Sequence, residues 1–366
     1  MLKSLYIKAL NNRRFLQPEP EKNTDFSLEG KWFDRPYAKS NKEFSIAAGD
    51  GSFNIKKFLM FNYCPVSAEA LIYDGQLKNI EQSEIFEIDH VPFIKELVPN
   101  YMSIFELKCC LKAINEYDVD YYLFDGSILG DLQNHYPKGA KQPSDIKKKL
   151  TPGVLKLFED DINDLSSLDL SFPEIKKKVY VHVSGEGEDD FKDTEIDDVY
   201  NLYLSSIEKL LVLKEVLKKN KKIISISKTS SSNDLFHSNA PDIGILDQFT
   251  EKQGISELIH KKVESSTPVP FPVYDDFFNG LWFTIFYVRL KENKNVLKVE
   301  IPYYIKDKDD DEITEIIEII KRDAAEGYPY LLNKAHNDVV ITNKHVDELL
   351  KISRIYETTN REQLKK

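Results

Sequence analysis

The chain has 366 residues, 41% of them hydrophobic and 30% charged, which is enough apolar material for a buried core and excludes global disorder. Lysine and arginine total 50 against 61 aspartates and glutamates, a net charge of −11, so a broadly basic nucleic-acid surface is excluded and any such binding must use a local groove. No apolar run approaches the ~20 residues of a membrane helix, no secretory leader pattern is visible, and three cysteines are too few for a disulfide framework, so a soluble cytoplasmic protein is expected.

Residues 1–44 read as an irregular, partly helical lead-in. A strand pattern starts at Phe44 and runs into Asp50-Gly51-Ser52. Apolar runs at 58–61 and 68–73 follow, Asp74-Gly75 is a hairpin signal, and alternation at 85–89 closes a meander. From Met102, the spacing of Ile104, Phe105, Leu107, Leu111 and Ile114 predicts a helix of about 15 residues, with Ser103 and Glu106 placed as a capping box. A short strand, Tyr121–Phe124, ends at Asp125-Gly126-Ser127. Residues 45–136 thus read as the first part of a mixed α/β sheet. Residues 137–200 read as a helical, charged insertion, with lysine runs at 147–149 and 176–178 and an acidic helix near 155–165.

The sheet resumes over 201–345. A long amphipathic helix spans about 197–219, and a strand at 223–226 leads to Lys228. Antiparallel strands follow at 281–290 and 296–301, then a helix over 312–325 with Gly327 past its end. Residues 346–366 form a C-terminal helix and polar tail.

Both Asp-Gly-Ser triplets fall at predicted strand ends, where α/β proteins place ligands. An Asp-Gly pair alone is an ordinary turn. Two of them, with Glu106 on the intervening helix, give Asp, Glu, Asp in strand–helix–strand order. Three carboxylates can hold one or two hard divalent cations, Mn²⁺ or Mg²⁺, and an added imidazole favours Mn²⁺. His336 supplies such an imidazole, for ligation or proton transfer. Lys228 offers a point charge to a phosphate, and Tyr328 a hydroxyl to orient water or phosphate. Each has a plainer reading: Glu106 as capping partner, Lys228 as exposed strand end, His336 as surface residue, Tyr328 as core packing. Asp242 is either a further ligand or a helix cap. The aromatic group Trp282, Phe283, Phe286 and Tyr287 reads as core and interface in preference to a base-stacking platform.

These pieces together resemble the NurA family, nucleases that partner the HerA translocase. The pieces are Gly49-Asp50-Gly51-Ser52, Glu106 ahead of Asp125-Gly126-Ser127, Ile226–Ser230, Pro241-Asp242 with Leu246-Asp247, and Gly327-Tyr328-Pro329 with Ala335-His336. They occur in order over residues 46–336. The resemblance implies an RNase H-like mixed sheet of the PIWI type, flanked by helices, in an archaeal, nucleoid-associated homodimer. It implies a Mn²⁺-dependent enzyme, probing DNA as a 5′-to-3′ exonuclease on single and double strands and as a single-strand endonuclease. The activity implied is DNA end resection alongside a hexameric HerA-type ATPase. Carried over, Asp50, Glu106, Asp125 and His336 are ligands for two ions, with Tyr328 and Lys228 completing the catalytic set. The motor must be another chain, because Gly-x4-Gly-Lys-Ser/Thr is absent here. The alternatives are an inactive RNase H-like scaffold subunit of a repair complex and a hydrolase of another phosphate ester.

Overall fold

A computed structural model describes residues 2–12, 27–135, 137, 150–177, 199–266, 269–306 and 310–355. The lysine run 147–149, residues 178–198 of the insertion and the polar tail lie outside them. The lead-in contributes helix α1 (Lys3–Asn11) and strand β1 (Trp32–Asp34). Next come β2 (Ile46–Phe53), β3 (Lys56–Lys57), β4 (Asn62–Tyr73), β5 (Leu77–Ile88), α2 (Ile94–Glu116), β6 (Tyr121–Asp125) and α3 (Ile128–Gln133). The insertion carries α4 (Pro152–Asn163), and α5 (Val199–Leu217) and β7 (Ile223–Ser227) follow it. Then come α6 (Asp242–Phe249), β8 (Gly254–Ser256), β9 (Ile259–Lys262), β10 (Trp282–Arg289) and β11 (Leu297–Ile301). Helix α7 (Asp310–Asp323), the hairpin β12 (Ala324–Ala325) and β13 (Tyr328–Pro329), α8 (Tyr330–Val339) and α9 (Asn343–Ile352) close the chain.

One mixed sheet organises the molecule, in the order β1-β8-β10-β11-β7-β6-β2-β4-β3, with β5 paired to β4 and β9 to β10. β5, β4 and β2 are antiparallel neighbours, whereas β2, β6 and β7 run parallel. Helices α2 and α5 cover one face through Phe105, Leu111, Leu210 and Leu211. Helices α7 and α8 cover the other through Ile316, Ile317, Ile320, Leu332 and Ala335. In α7 the isoleucines recur at three- and four-residue spacing, which puts them on a single stripe facing the sheet. Asp310, Asp311 and Glu312 fill its first turn, and Lys321 and Arg322 its last, matching the helix dipole at both ends.

The predicted meander is present, but its details shift. β5 runs for twelve residues rather than five, and the apolar run at 58–61 is the turn between β3 and β4. Tertiary pairing along all of β4 lengthens β5 beyond its own alternation. The predicted helix at 102–116 begins at Ile94 and carries through Pro99, so Ser103 and Glu106 stand in its middle and form no capping box. Helix α6 and strands β8 and β9 lie in a stretch, 242–262, to which the sequence pattern assigns no element. Among the predicted aromatic group, Phe283, Phe286 and Tyr287 are buried in the core, while Trp282 is 40% exposed.

A buried ion pair ties the insertion to the core. Lys108 of α2 lies 2.9 Å from Glu208 of α5, with side chains 2% and 0% exposed. Glu208 accepts from the amides of Ser171 and Phe172, each at 2.8 Å, and Lys108 donates to Ser171 Oγ at 2.9 Å and to the Asp169 carbonyl. Lys108→Met strips the carboxylate of its counter-charge and is expected to destabilise the fold by about 3–5 kcal/mol. Urea unfolding followed by circular dichroism checks this; a loss below ~1 kcal/mol, the value of a surface pair, would show the network to be dispensable.

Candidate metal centre

Strand register brings the first two carboxylates together. β2 and β6 are parallel with Gly49 opposite Phe124, so the next residues, Asp50 and Asp125, sit side by side. Asp50 lies within β2, not at its end as the sequence suggests, because pairing with β4 continues through Phe53. The flanking glycines have a packing cause. A Cβ on Gly49 would lie 2.0 Å from the Tyr122 hydroxyl, and one on Gly51 would lie 2.7 Å from Met102 Cγ. Gly51 therefore makes room for Met102 of α2. Gly126 differs: its φ of +117° turns the chain sharply after Asp125, and its amide donates to the Ile226 carbonyl at 2.9 Å.

His336 comes from α8 on the opposite layer. Its Nδ1 lies 2.7 Å from Asp50 Oδ2. Ligand atoms of Asp50, Asp125 and His336 all lie within 4.8 Å of one another. The helix that presents His336 is set by the β12–β13 hairpin, whose two central residues, Glu326 and Gly327, both have positive φ, +53° and +86°. Such a turn suits the twist of a two-stranded ribbon. The sequence signal of Gly327 reads as a helix end, and the hairpin after α7 makes it a turn. The same hairpin delivers Tyr328, whose hydroxyl donates to Asp125 Oδ2 at 3.4 Å. Burial, then Asp125, push the Tyr328 phenol far above its ordinary range, so it remains a donor. Lys228, one residue past β7, places Nζ 4.0 Å from the centre of the Tyr328 ring. Its charge reaches Asp125, where it offsets part of the rise caused by burial and by Asp50.

Glu106 approaches from α2, on the far side of the strand. It stands outside the 4.8 Å group but close to it, since its Oε2 would touch a Cβ on Gly51 at 3.6 Å. It is 6% exposed, and Oε1 is buried with no hydrogen-bond partner. Burial foremost, then the charges of Asp50, Asp131 and Asp125, raise its carboxyl well above the usual range, with Lys209 pulling the other way. Three carboxylates crowded together with a buried orphan oxygen are costly when ionised unless a cation neutralises them. Four donors, three carboxylates and an imidazole, are the chemistry that divalent manganese or magnesium accepts, so the residues fit such an ion.

Asp242 belongs to a different structure. It is fully buried and accepts from the amides of Leu235 and Phe236 at 2.9 and 3.1 Å and from the Tyr287 hydroxyl at 3.1 Å. Asp242 pins the loop after β7 and is not a ligand of the centre. Asp131, which sequence reading passed over, pairs with Lys209 at 3.2 Å beside Glu106. Its position in a six-residue helix after Ser127 carries no periodic signal that marks it out. Among the described residues, no helix is long and apolar enough to cross a membrane.

The chain and its fold are similar to those of several known proteins. A probable DNA double-strand break repair nuclease NurA from Methanocaldococcus jannaschii is 28% identical over 372 residues, covering 94% of this chain and 88% of that protein. The crystal structure of the NurA nuclease from Sulfolobus solfataricus superposes with a TM-score of 0.73 at 22% identity, covering 98% of this chain and 99% of that one. A crystal structure of NurA bound to dAMP and manganese gives a TM-score of 0.69 at 17% identity, over the full length of both chains. The NurA domain family matches residues 44–341, most of the sequence. The chain belongs to the NurA domain family.

Proposed function

We propose that the protein is a metal-dependent DNA nuclease that cleaves phosphodiesters at the centre formed by Asp50, Glu106, Asp125 and His336. The observation that carries this is the convergence of Asp50, Asp125 and His336 within 4.8 Å, backed by the orphaned buried oxygen of Glu106. The relatives named as DNA double-strand break repair nucleases, and one solved with dAMP and manganese, support the substrate and the metal. A bound Mn²⁺ or Mg²⁺, as one ion or two, supplies charge neutralisation at the phosphate and a more acidic water.

The chain's own residues do the positioning. Asp50 and Asp125 anchor the centre on two adjacent rigid strands. Tyr328 holds the Asp125 carboxylate by its hydroxyl and stays protonated while doing so. Lys228, held against the Tyr328 ring, sets its ammonium where it draws in the scissile phosphate. His336 supplies the nitrogen ligand from the side open to solvent.

The strand order β5-β4-β2-β6-β7, antiparallel then parallel, with a carboxylate on the first parallel strand and another on the second, supports an RNase H-like core. On that reading residues 45–136 and 201–345 are its two parts, 137–200 interrupts it, and 1–44 and 346–366 are appendages. The family resemblance extends the reading to a homodimer on the archaeal nucleoid, cutting 5′-to-3′ in end resection with a hexameric HerA-type ATPase.

The test is cleavage of end-labelled single- and double-stranded DNA with Mn²⁺ or Mg²⁺. No cleavage with either metal by folded protein would overturn the nuclease reading, leaving the scaffold, or a hydrolase of another phosphate ester that a nucleotide monophosphate or sugar phosphate substrate would reveal. Lys228→Ala is expected to lower kcat about 10- to 100-fold, as for a lost charge-stabilising donor, at unchanged thermal midpoint. Unaltered kinetics would return Lys228 to the surface.

A further inference from the structure

The turn that follows Asp125 is held by two other strands. Gly126 donates its amide to the Ile226 carbonyl at 2.9 Å, and its own carbonyl accepts from Ser225 Oγ at 2.6 Å. Ser127 donates its hydroxyl to Glu300 Oε1 at 2.7 Å and accepts from the Gly130 amide at 2.9 Å. Ser225 belongs to β7 and Glu300 to β11.

Glu300 is fully buried, so its carboxylate has no water to share its charge. Register sets it opposite Ser225, which in turn lies opposite Phe124 on β6, one row across three strands. The small Ser225 lets the Glu300 side chain reach over β7 to the start of α3. Its Oε1 also accepts from Lys298 Nζ at 2.8 Å, and its Oε2 accepts from the Leu129 amide at 3.1 Å. Lys298 is itself only 6% exposed. A buried ion pair is often no more stabilising than apolar side chains of the same volume. What this one adds is direction: a charge-assisted hydrogen bond aimed at the hydroxyl two residues after a carboxylate of the metal centre.

We propose that Glu300, with Lys298 as its counter-charge, is a positioning residue for Asp125, acting through Ser127 and the turn at Gly126. It touches neither metal nor substrate. It fixes where β6 ends, and so where the Asp125 carboxylate stands beside Asp50 and His336. A ligand displaced by about 0.5 Å no longer meets the geometry that a bound cation demands. The inference rests on the nuclease reading and adds to it a buried group two strands away from the metal centre.

The test uses three variants of the full-length protein. Ser127→Ala cuts the link but leaves Glu300 its Lys298 and Leu129 partners. Ser127→Thr keeps the hydroxyl. Glu300→Gln keeps the size and removes the charge. Calorimetry gives the Mn²⁺ dissociation constant, turnover of a short single-stranded DNA gives kcat and KM, and a melt in EDTA reports the fold. Ser127→Ala and Glu300→Gln are expected to weaken Mn²⁺ binding and to lower kcat, each about tenfold, with KM within about twofold of wild type. Ser127→Thr is expected to restore both. Mn²⁺ affinity and kcat that stay at the wild-type values in Ser127→Ala, even at a lowered melting temperature, overturn the proposal, because Ser127 then only caps α3. The same result from a folded Glu300→Gln overturns it as well. If Glu300→Gln does not fold, the two Ser127 variants decide. Wild-type protein that binds Mn²⁺ yet cuts no DNA overturns the nuclease reading, while the Mn²⁺ affinities still decide whether Asp125 is positioned in this way.

Discussion

Asp125→Asn is expected to lower the rate of DNA cleavage by about 10³-fold or more, equivalent to ~4 kcal/mol of transition-state stabilisation. The substitution keeps the shape and an oxygen that accepts from Tyr328, so β6 and its turn at Gly126 stay in place. It removes a negative charge from a group whose ligand atoms lie within 4.8 Å of those of Asp50 and His336. A neutral amide is a far poorer ligand for a hard dication than a carboxylate. Asp50→Asn carries the same expectation, with the added disturbance of the 2.7 Å contact between its Oδ2 and His336 Nδ1. The check is turnover of end-labelled single-stranded DNA in saturating Mn²⁺, run beside a thermal melt of each variant. Activity within tenfold of wild type, from a variant that melts normally, would remove that aspartate from the metal centre.

How much of this centre is legible in the sequence depends on which layer each residue comes from. Asp50 and Asp125 are legible because both belong to short apolar strands interrupted by Asp-Gly, and neighbouring parallel strands align such breaks. His336 is visible only as a residue type. Its placement depends on α8 returning over the sheet, and the turn at Glu326-Gly327 that directs it looks locally like a helix terminator. Glu106 is legible as a candidate from its place between the two Asp-Gly-Ser triplets, but its structural setting is not. Local spacing makes it a capping-box partner, whereas the helix starts at Ile94 and buries it against Gly51. Burial on both flanks of α2 comes from tertiary packing on β2 and α5, which no helical period encodes. The short strands β8 and β9 and the loop role of Asp242 escape for the same cause, since partners distant in sequence fix them.

Glu106→Gln is expected to abolish most cleavage while making the metal-free protein more heat-resistant at alkaline pH. Its carboxyl is raised well above the usual range, first by burial and then by Asp50, Asp131 and Asp125. For an acid whose folded pKa lies above the unfolded value of ~4.3, the unfolded chain sheds its proton first as pH rises. Stability is then lost between the unfolded and the folded pKa, and the full penalty persists above the latter. Glutamine carries no such penalty. In EDTA the variant is therefore expected to melt above wild type at pH 8 and level with it at pH 4. Added Mn²⁺ reverses the order, because binding to the folded state alone adds RT ln(1 + [L]/Kd), about 2.7 kcal/mol at a hundredfold excess over Kd, and the variant has lost a ligand. Scanning fluorimetry at both pH values, with and without Mn²⁺, reads all four states. A wild-type-to-variant gap that is the same at pH 4 and pH 8 would mean that the buried carboxyl carries no ionisation penalty. An equal Mn²⁺ shift in the two proteins would mean that Glu106 takes no part in holding the ion, leaving Asp50, Asp125 and His336 to do so alone.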